Sequence, residues 1–257
     1  MTLLKLEASM KTAIITGAAR GIGLATTDLL LSRGWQVAMV DRDQDELMMQ
    51  NATRANTLPL CVDISIPDQV DQMVTDTLAH FGQIDALVNN AGVADFGPIE
   101  GTTFERWRRV MDTNLDGVFL CSQAATPALK LTKGCIVNIA SISGLRASTL
   151  RVAYGTSKAA VIHLTEQLAA ELGEYGIRAN TVAPGPVRTK LAMAVHTQDI
   201  IDAYHDAIPL NRYGSETEIA EVIAFLCSDQ ASYVTGQLIA ADGGFESTGI
   251  GLPSLRR

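Results

Sequence analysis

Short apolar runs rich in valine, isoleucine and alanine alternate with longer stretches whose apolar residues recur at helical spacing. The first run, TAIITG (12–17), predicts a buried strand, and the next stretch predicts a helix that ends at Gly34. Further strands are predicted at WQVAMVD (35–41), LPLCVD (58–63), IDALVNNAG (84–92, strand then loop), GCIVNIAS (134–141), IRANTVAPG (177–185) and GQLIAADGG (236–244). Helices are predicted at 22–34, 43–55, 66–80, 103–131, 153–173 and 215–228.

This alternation predicts a single α/β domain built on one doubly wound parallel sheet. Parallel strands need crossover connections, and strands that are apolar throughout are typical of a sheet covered by helices on both faces. We expect about seven strands. No linker, low-complexity block or internal repeat divides residues 1–257. Ligands of such sheets bind beyond the carboxyl ends of the strands, so these ends are expected to carry the functional groups.

Three segments lie outside the regular alternation. Residues 1–9 are expected to be an extension with little structural role. Residues 188–213 are long for a connection, which predicts a substrate lid with His196 and Tyr204 near the substrate. The tail at 245–257 carries apolar residues that favour burial against a neighbouring subunit.

The composition supports a large apolar core and an acidic surface. Of 257 residues, 47% are hydrophobic, and the net charge of −8 argues against nucleic acid or anionic membranes as partners. No apolar run reaches transmembrane length and the first residues lack the organisation of a signal peptide, so a cytoplasmic location is expected. Buried free thiols in a reducing compartment are predicted for the four cysteines, which form no C-x-x-C motif: Cys61, Cys121, Cys135 and Cys227.

The first strand is followed by a glycine-rich turn, TGAARGIG (16–23), that opens the first helix. Such a turn lets the backbone approach a pyrophosphate, which the free N–H groups and positive dipole of the helix N-terminus then bind. Gly17, Gly21 and Gly23 are spaced G-x-x-x-G-x-G, and three glycines alone are also compatible with a purely structural turn. Their position after the first strand favours a dinucleotide site.

The second strand ends in Asp41, eighteen residues after Gly23. A carboxylate at this place accepts hydrogen bonds from both adenosine ribose hydroxyls and repels a 2′-phosphate. This favours NAD over NADP. Arg20 in the turn and Arg42 beside Asp41 are evidence for NADP, because either could bind a 2′-phosphate. Alternatively, both arginines are simply solvated.

A tyrosine and a lysine four residues apart occur in VAYGTSKAAV (152–161), at the start of a predicted helix. This spacing places the Tyr154 phenol and the Lys158 ammonium on one helix face. One interpretation is a tyrosine packed on a lysine stem. The other is a proton-transfer pair, because a nearby cation lowers the pKa of a phenol from about 10.

Four motifs occur in order at strand ends: TGAARGIG (16–23), NNAG (89–92), Y-x-x-x-K (154–158) and APGPVRT (183–189). Together they resemble the short-chain dehydrogenase/reductase family in its Ser-Tyr-Lys form, from about residue 10 to residue 245. The resemblance implies a Rossmann-like fold and NAD(P)-dependent oxidoreduction between an alcohol and a carbonyl. It also implies a homotetramer or homodimer, with helices 103–131 and 153–173 at one interface.

The resemblance also implies roles for individual residues. Tyr154 would be the catalytic acid or base, its pKa lowered toward about 7 by Lys158 and the positive nicotinamide ring. Ser141, thirteen residues before the tyrosine, would bind the substrate oxygen, and the nearby Ser143 would line the pocket. Asn114, in NLDGVF, would hold a water that relays protons from Lys158. The implied cofactor-binding residues are Gly17, Arg20, Gly21, Ile22, Gly23, Asp41, Asp63, Ile64, Asn90, Ala91, Gly92, Tyr154, Lys158, Val187 and Thr189.

These observations favour an NAD-dependent oxidoreductase that interconverts a small polar secondary alcohol (a polyol, sugar or cyclic diol) and its ketone. One alternative is an NADPH-dependent 3-oxoacyl-thioester reductase acting on an acyl carrier protein, against which Asp41 speaks. The other is a non-catalytic NAD-binding sensor, although both Tyr154 and Lys158 are present. No metal site is expected, because carboxylates at ligand spacing are lacking around the four histidines: His80, His163, His196 and His205.

Overall fold

The chain forms one sheet of seven parallel strands in the order β3-β2-β1-β4-β5-β6-β7. The computed structural model describes residues 10–189 and 196–248. The strands are β1 (Thr12–Thr16), β2 (Gln36–Asp41), β3 (Thr57–Cys61), β4 (Ala86–Asn89), β5 (Cys135–Ile139), β6 (Arg178–Pro184) and β7 (Leu238–Ala241). The strand order changes direction between β1 and β4, as a doubly wound sheet requires, and the predicted fold class is confirmed.

Three stretches of the predicted organisation lie outside the described residues. The expected extension at 1–9 is one, and residues 249–257 of the expected tail are another. Residues 190–195 of the expected lid are the third.

Helices connect the strands and cover both faces of the sheet. They are α1 (Gly21–Ser32), α2 (Gln44–Asn51), α3 (Pro67–Phe81), α4 (Phe104–Met111), α5 (Gly117–Thr132), α6 (Ile142–Leu145), α7 (Val152–Leu172), α8 (Gln198–Ala207) and α9 (Glu216–Cys227). The helix predicted over 103–131 is interrupted by a π-helical turn, Asp112–Asp116, between α4 and α5. Within the described ranges, no helix is both long and apolar enough to cross a membrane.

Alternate residues of each strand pack into opposite layers. Ile15 and Met39 lie in the apolar cluster that α1 and α9 cover, whereas Ile14 and Val40 lie beneath α3 and α5. All five positions of β1 are buried, because helices cover the sheet on both sides. Each large aliphatic side chain buried in this way contributes roughly 1.5–3 kcal/mol to folding.

Helix ends follow local signals in the sequence. Pro67 occupies the first turn of α3, and Gly82 ends that helix in the left-handed conformation, with φ of +83°. Ser215 and Glu218 form a capping box at the start of α9, and the Thr197 side chain caps α8. These caps fix where the helices enter the cleft side of the sheet.

The prediction of four buried cysteines is wrong for Cys61. This residue ends β3, one of the two edge strands of the sheet, and its side chain is exposed. Cys121, Cys135 and Cys227 are buried free thiols, as predicted.

Candidate active site

The carboxyl ends of the strands line one edge of the sheet, and two cavities open there. The larger, of about 550 Å³, surrounds the glycine-rich turn and the ends of β2 and β4. The smaller, of about 320 Å³, lies over the end of β5 and the start of α7. Both are lined by Asn90, Gly92, Val93 and Thr189, so the two cavities form one continuous cleft.

The glycine-rich turn is packed too closely for side chains. Gly17 and Gly21 adopt positive φ angles of +67° and +61°. A Cβ atom on Gly23 would lie only 2.1 Å from the Gly17 carbonyl oxygen. The first residues of α1 carry no side-chain cap, so its N-terminal N–H groups point into the cleft as donors for an anion.

Hydrogen bonds tie this turn to the NNAG loop. The Thr16 hydroxyl accepts the backbone N–H groups of Asn90 and Ala91, at 3.0 Å each. The Asn90 amide donates to the carbonyl oxygens of Thr16 and Gly17, at 2.9 and 3.1 Å. The two loops therefore form one rigid floor beneath the larger cavity.

The outer end of the larger cavity is acidic. The Asp41 carboxylate accepts the N–H groups of Ala19 and Asp43, at 3.1 and 3.0 Å. Arg20 forms an ion pair with Asp43, and its hydrogen bond lowers the pKa of that carboxyl. Four carboxylates line this end against two arginines, namely Asp41, Asp43, Glu46 and Asp63 against Arg20 and Arg42.

Asp63 follows β3 and is also engaged. Its carboxylate accepts the N–H and the hydroxyl of Ser65, at 3.0 and 2.6 Å. Burial raises the pKa of Asp63, but the Ser65 hydrogen bonds and the charge of Arg42 outweigh it, so the pKa is lowered. The neighbouring Ile64 is 4% exposed and contributes an apolar wall.

Lys158 is a buried cation beneath the junction of the two cavities. Its ammonium donates to the Ile139 carbonyl oxygen at 2.7 Å, and the residue is 3% exposed. Burial lowers its pKa to about 8. The ammonium lies 5.9 Å from the centroid of the Tyr154 ring, as expected for side chains one helical turn apart.

Ser141 and Tyr154 meet in the smaller cavity. Ser141 caps α6, where its hydroxyl oxygen accepts the Ser143 N–H at 3.1 Å. The same hydroxyl is close enough to the Tyr154 phenol to act against the rise of its pKa. A carbonyl or alcohol oxygen placed between these two hydroxyls could exchange a proton with one and accept a hydrogen bond from the other.

The predicted lowering of the Tyr154 pKa is wrong for the protein chain by itself. Burial raises the pKa of the phenol, and this effect exceeds the lowering by the Ser141 hydrogen bond and the charge of Arg151. Lys158 does not reverse the direction, because its ammonium is directed at Ile139 rather than at the phenol oxygen.

Asn114 lies in the π-helical turn and is fully buried. Its amide oxygen accepts the Val93 N–H at 2.8 Å, and its amide nitrogen donates to the Val93 carbonyl and the Ser157 hydroxyl, at 2.9 and 3.1 Å. Both amide hydrogens are thus committed to protein partners. The side chain therefore holds the loop after NNAG against α7. Sequence analysis expected Asn114 to hold a water and did not predict this positioning role.

A buried polar chain fixes α7 on the sheet below the cleft. The Asn89 amide donates to the Asn138 side chain at 2.8 Å, and Asn138 donates to the Thr165 hydroxyl at 2.9 Å. These contacts join β4, β5 and α7, so the helix that carries Tyr154 is held in a single position. Sequence analysis did not single out Asn138 or Thr165, since nothing in a lone strand or helix indicates that they meet.

The walls of the smaller cavity come from distant parts of the chain. His196 Nδ1 is hydrogen-bonded to the Tyr213 hydroxyl at 3.0 Å. The imidazole ring also stacks on the ring of Tyr204, with the two centroids 5.6 Å apart. Sequence analysis expected His196 and Tyr204 near the substrate. It missed Phe96, Arg151 and Phe245, which complete the lining.

Most predicted cofactor residues line the cleft. Ile22 and Val187 border the smaller cavity, as do Ser143, Tyr154 and Lys158. Gly23 borders neither cavity and instead packs against Gly17. The larger cavity is lined by Gly17, Arg20, Gly21, Asp41, Asp63, Ile64, Asn90, Ala91, Gly92 and Thr189. Among residues 10–189 and 196–248, no group of three or more His, Cys, Asp or Glu side chains is arranged to hold a metal ion.

The chain is similar in sequence to known oxidoreductases. A family model described as enoyl-(acyl carrier protein) reductase matches residues 17–246. A 3-oxoacyl-[acyl-carrier-protein] reductase of Staphylococcus epidermidis is 37% identical over 91% of this chain and 98% of its own. The meso-2,3-butanediol dehydrogenase of Serratia marcescens is 36% identical over 91% of this chain and 94% of its own.

A solved structure shares the fold. The 3-ketoacyl-(acyl-carrier-protein) reductase from Brucella melitensis, complexed with NADH, has a TM-score of 0.87 and 32% identity. The match covers 92% of this chain and 98% of that one.

Fold, cleft and relatives together define an NAD(P)-dependent oxidoreductase that acts on CH–OH groups. The chain belongs to the short-chain dehydrogenase/reductase family.

Proposed function

We propose that the protein is an NAD-dependent oxidoreductase that interconverts a small polar secondary alcohol, such as a polyol, sugar or cyclic diol, and its ketone. The observation that carries the proposal is that Ser141, Tyr154 and Lys158 all line one small cavity. This cavity adjoins the larger one, where a dinucleotide fits the glycine-rich turn and the acid at the end of β2. Similarity to a butanediol dehydrogenase supports a small alcohol as substrate.

The proposed cofactor contacts run along the whole cleft. Pyrophosphate would bind at the N-terminus of α1, the ribose hydroxyls of adenosine at Asp41, and adenine beside Asp63 and Ile64. Lys158 and Tyr154 would hold the nicotinamide ribose, and Val187 and Thr189 the carboxamide. When bound, the nicotinamide supplies the carbon that accepts or donates a hydride.

Tyr154 is proposed to move the proton that accompanies the hydride. The phenol would give its proton to a ketone oxygen, or its phenolate would take one from an alcohol, while the Ser141 hydroxyl donates a hydrogen bond to the same oxygen. Burial raises the phenol pKa, which keeps the phenol protonated in the protein chain by itself. Added positive charge in the larger cavity would lower it and so favour abstraction.

The acidic end of the larger cavity favours NAD over NADP. Arg20 is already paired with Asp43, and Asp41 is placed to repel a 2′-phosphate. We expect Asp41→Asn to lower kcat/KM for NAD⁺ by about tenfold or more and to raise it for NADP⁺. Steady-state kinetics with both nucleotides measure this. A wild-type preference for NADP⁺ would contradict the assignment.

A second candidate is an NADPH-dependent 3-oxoacyl-thioester reductase. Similarity to a 3-oxoacyl-[acyl-carrier-protein] reductase, at 37% identity, favours it. The carboxylates at the 2′-phosphate position oppose it. A non-catalytic NAD sensor is a third possibility, in which nucleotide binds without turnover.

The test is the formation of reduced nicotinamide, followed by its absorbance, with a panel of polyols, sugars, cyclic diols and a 3-hydroxyacyl thioester. We expect turnover of at least one alcohol with NAD⁺, and loss of about 10²–10⁴ in kcat for Tyr154→Phe. Nucleotide affinity of the variant, measured by fluorescence titration, should stay close to that of the wild type. Preferred turnover of the thioester with NADPH would select the second candidate, and tight NAD binding without any turnover would select the sensor.

We also propose a cytoplasmic location and a homotetramer or homodimer. The large apolar side chains that α4 and α5 leave exposed support the assembly, namely Phe104, Phe119 and Leu131.

A further inference from the structure

Among the described residues, Arg151 is the one arginine in the lining of the smaller cavity, and neither the motifs nor the mechanism above uses it. It precedes Val152 at the start of α7, three residues before Tyr154. A backbone bridge between Arg151 and Gly97, and a hydrogen bond of 3.0 Å from the Gly97 N–H to the Leu150 carbonyl, fix this point of the chain. Its place beside the reacting groups is therefore set by the fold.

The guanidinium lies in the cavity lining against Phe96, whose ring also approaches Tyr154. Its central carbon lies 4.7 Å from the centroid of the Phe96 ring, and the Phe96 and Tyr154 ring centroids are 6.5 Å apart. Burial raises the pKa of Tyr154 and lowers that of His196, and the charge of Arg151 opposes the first effect and adds to the second. Phe96 shields one side of the guanidinium from water, which strengthens the attraction for an anion.

No carboxylate of the described residues forms an ion pair with Arg151. Asp95, the acid next to Phe96, is instead held by Arg106 and Arg109. The segment 190–195, which follows the cavity-lining Thr189, contains no aspartate or glutamate. As far as the structure describes the chain, the cavity lining includes Arg151, Lys158 and His196 but no acidic side chain, although the net charge of the sequence is −8.

We propose that Arg151 binds a carboxylate of the substrate, so that the secondary alcohol is a small hydroxy acid and the product the corresponding oxo acid. The proposal rests on the proposed function and narrows it. A planar guanidinium matches a carboxylate through two parallel hydrogen bonds. The cavity of about 320 Å³ suits a short acid.

The carboxylate takes no part in the bond changes. The C–H bond of the carbinol breaks with its electron pair passing to NAD⁺, and the hydroxyl proton leaves through Tyr154. The C–O bond becomes a carbonyl, NAD⁺ becomes NADH, and the acid group remains ionised at Arg151. This arrangement anchors the substrate at one end while Ser141 and Tyr154 hold the other.

Binding rather than turnover tests the site. Oxo acids of three to six carbons and their carboxamides, which match in shape but lack the charge, are titrated calorimetrically into the protein saturated with NADH. We expect at least one acid to bind about tenfold or more tightly than its amide. Arg151→Gln should reduce this preference to less than about threefold, and Arg151→Lys should keep part of it.

Two controls accompany the titration. Arg33→Gln removes the same charge at a surface ion pair with Glu221, far from the cleft, and should leave the preference unchanged. NADH affinity of Arg151→Gln should equal that of the wild type, which shows that the variant is folded. An acid–amide preference below threefold throughout the wild-type panel, or one that survives in Arg151→Gln, would overturn the proposal.

Further outcomes distinguish the proposed carboxylate site from the proposed function, and a carboxylate ligand from a phosphate. Turnover of neutral alcohols through Tyr154 without a preference for acids would overturn the carboxylate site and leave the proposed function standing. Arg151-dependent binding of acids without turnover would support the site and count against the proposed function. Tighter binding of a neutral ketone phosphate than of every oxo acid would overturn the carboxylate assignment in favour of a phosphate.

Discussion

At the scale of single residues, burial of the Lys158 ammonium lowers the stability of the fold. Its ammonium is 3% exposed and has one protein acceptor, the Ile139 carbonyl. Burial lowers its pKa from 10.5 to about 8. Between these two values the unfolded chain binds a proton that the folded chain does not, so this residue makes stability rise with pH across that window.

We therefore expect Lys158→Met to change stability in a pH-dependent way. Removing the buried cation should raise the free energy of unfolding relative to the wild type by about 2 kcal/mol more at pH 7 than at pH 9.5. The lost hydrogen bond to Ile139 weakens the variant equally at both values and cancels in the comparison. Urea unfolding without added nucleotide measures it, and equal effects at the two pH values would contradict the burial argument.

At the scale of elements, the glycine-rich turn is defined by backbone contact. Gly23 touches the Gly17 carbonyl so closely that a methyl group cannot be placed there, whereas a Cβ on Gly173 would meet no atom within 4 Å. Both glycines lie at helix ends, yet only Gly23 joins α1 to the strand before it. Comparing substitutions of Gly23 and Gly173 therefore distinguishes the effect of close backbone packing from the general effect of glycine on helix stability.

Gly23→Ala should therefore weaken both folding and nucleotide binding. We expect a loss of about 2–4 kcal/mol in the free energy of unfolding, because backbone atoms must move to admit the methyl group. Gly173→Ala should be neutral or stabilising by up to about 1 kcal/mol. Thermal unfolding and NADH titration of both variants measure these effects. Similar results for the two variants would show that the close packing at Gly23 contributes neither to stability nor to nucleotide binding.

The sequence predicted the strands, the major helices and the residues at strand ends, because each follows from local periodicity and turn chemistry. It did not predict α8, which lies within the segment expected to be a lid. It also missed the cavity walls, since Phe96, Arg151 and Phe245 become neighbours only through tertiary packing. Local patterns also could not predict that burial raises the Tyr154 pKa in the protein chain by itself, because burial depends on everything packed around the phenol.

The molecule as a whole leaves large apolar side chains exposed on two adjacent helices. Phe104 on α4 is 76% exposed, and Phe119 and Leu131 on α5 are 45% and 87% exposed. Exposed apolar side chains of this size are typical of an interface between subunits. They support the assembly that the family resemblance implies.

We expect sedimentation velocity to give the mass of a dimer or tetramer for the wild type. Phe119→Glu should weaken the assembly by at least about 2 kcal/mol, because it places a charge in the contact. Met49→Glu, an equally drastic change at an exposed position of α2, serves as the control and should leave the mass unchanged. A monomeric wild type would contradict the expectation.

The shared lining of the two cavities has a kinetic consequence. Asn90, Gly92, Val93 and Thr189 face both, so a nucleotide lying in the larger cavity completes one wall of the smaller. We therefore expect the alcohol to bind fully only after the oxidised nucleotide, and the carbonyl product to leave before the reduced nucleotide. The catalytic cycle would then run in compulsory order, with the reduced nucleotide competing against the oxidised nucleotide and not against the alcohol.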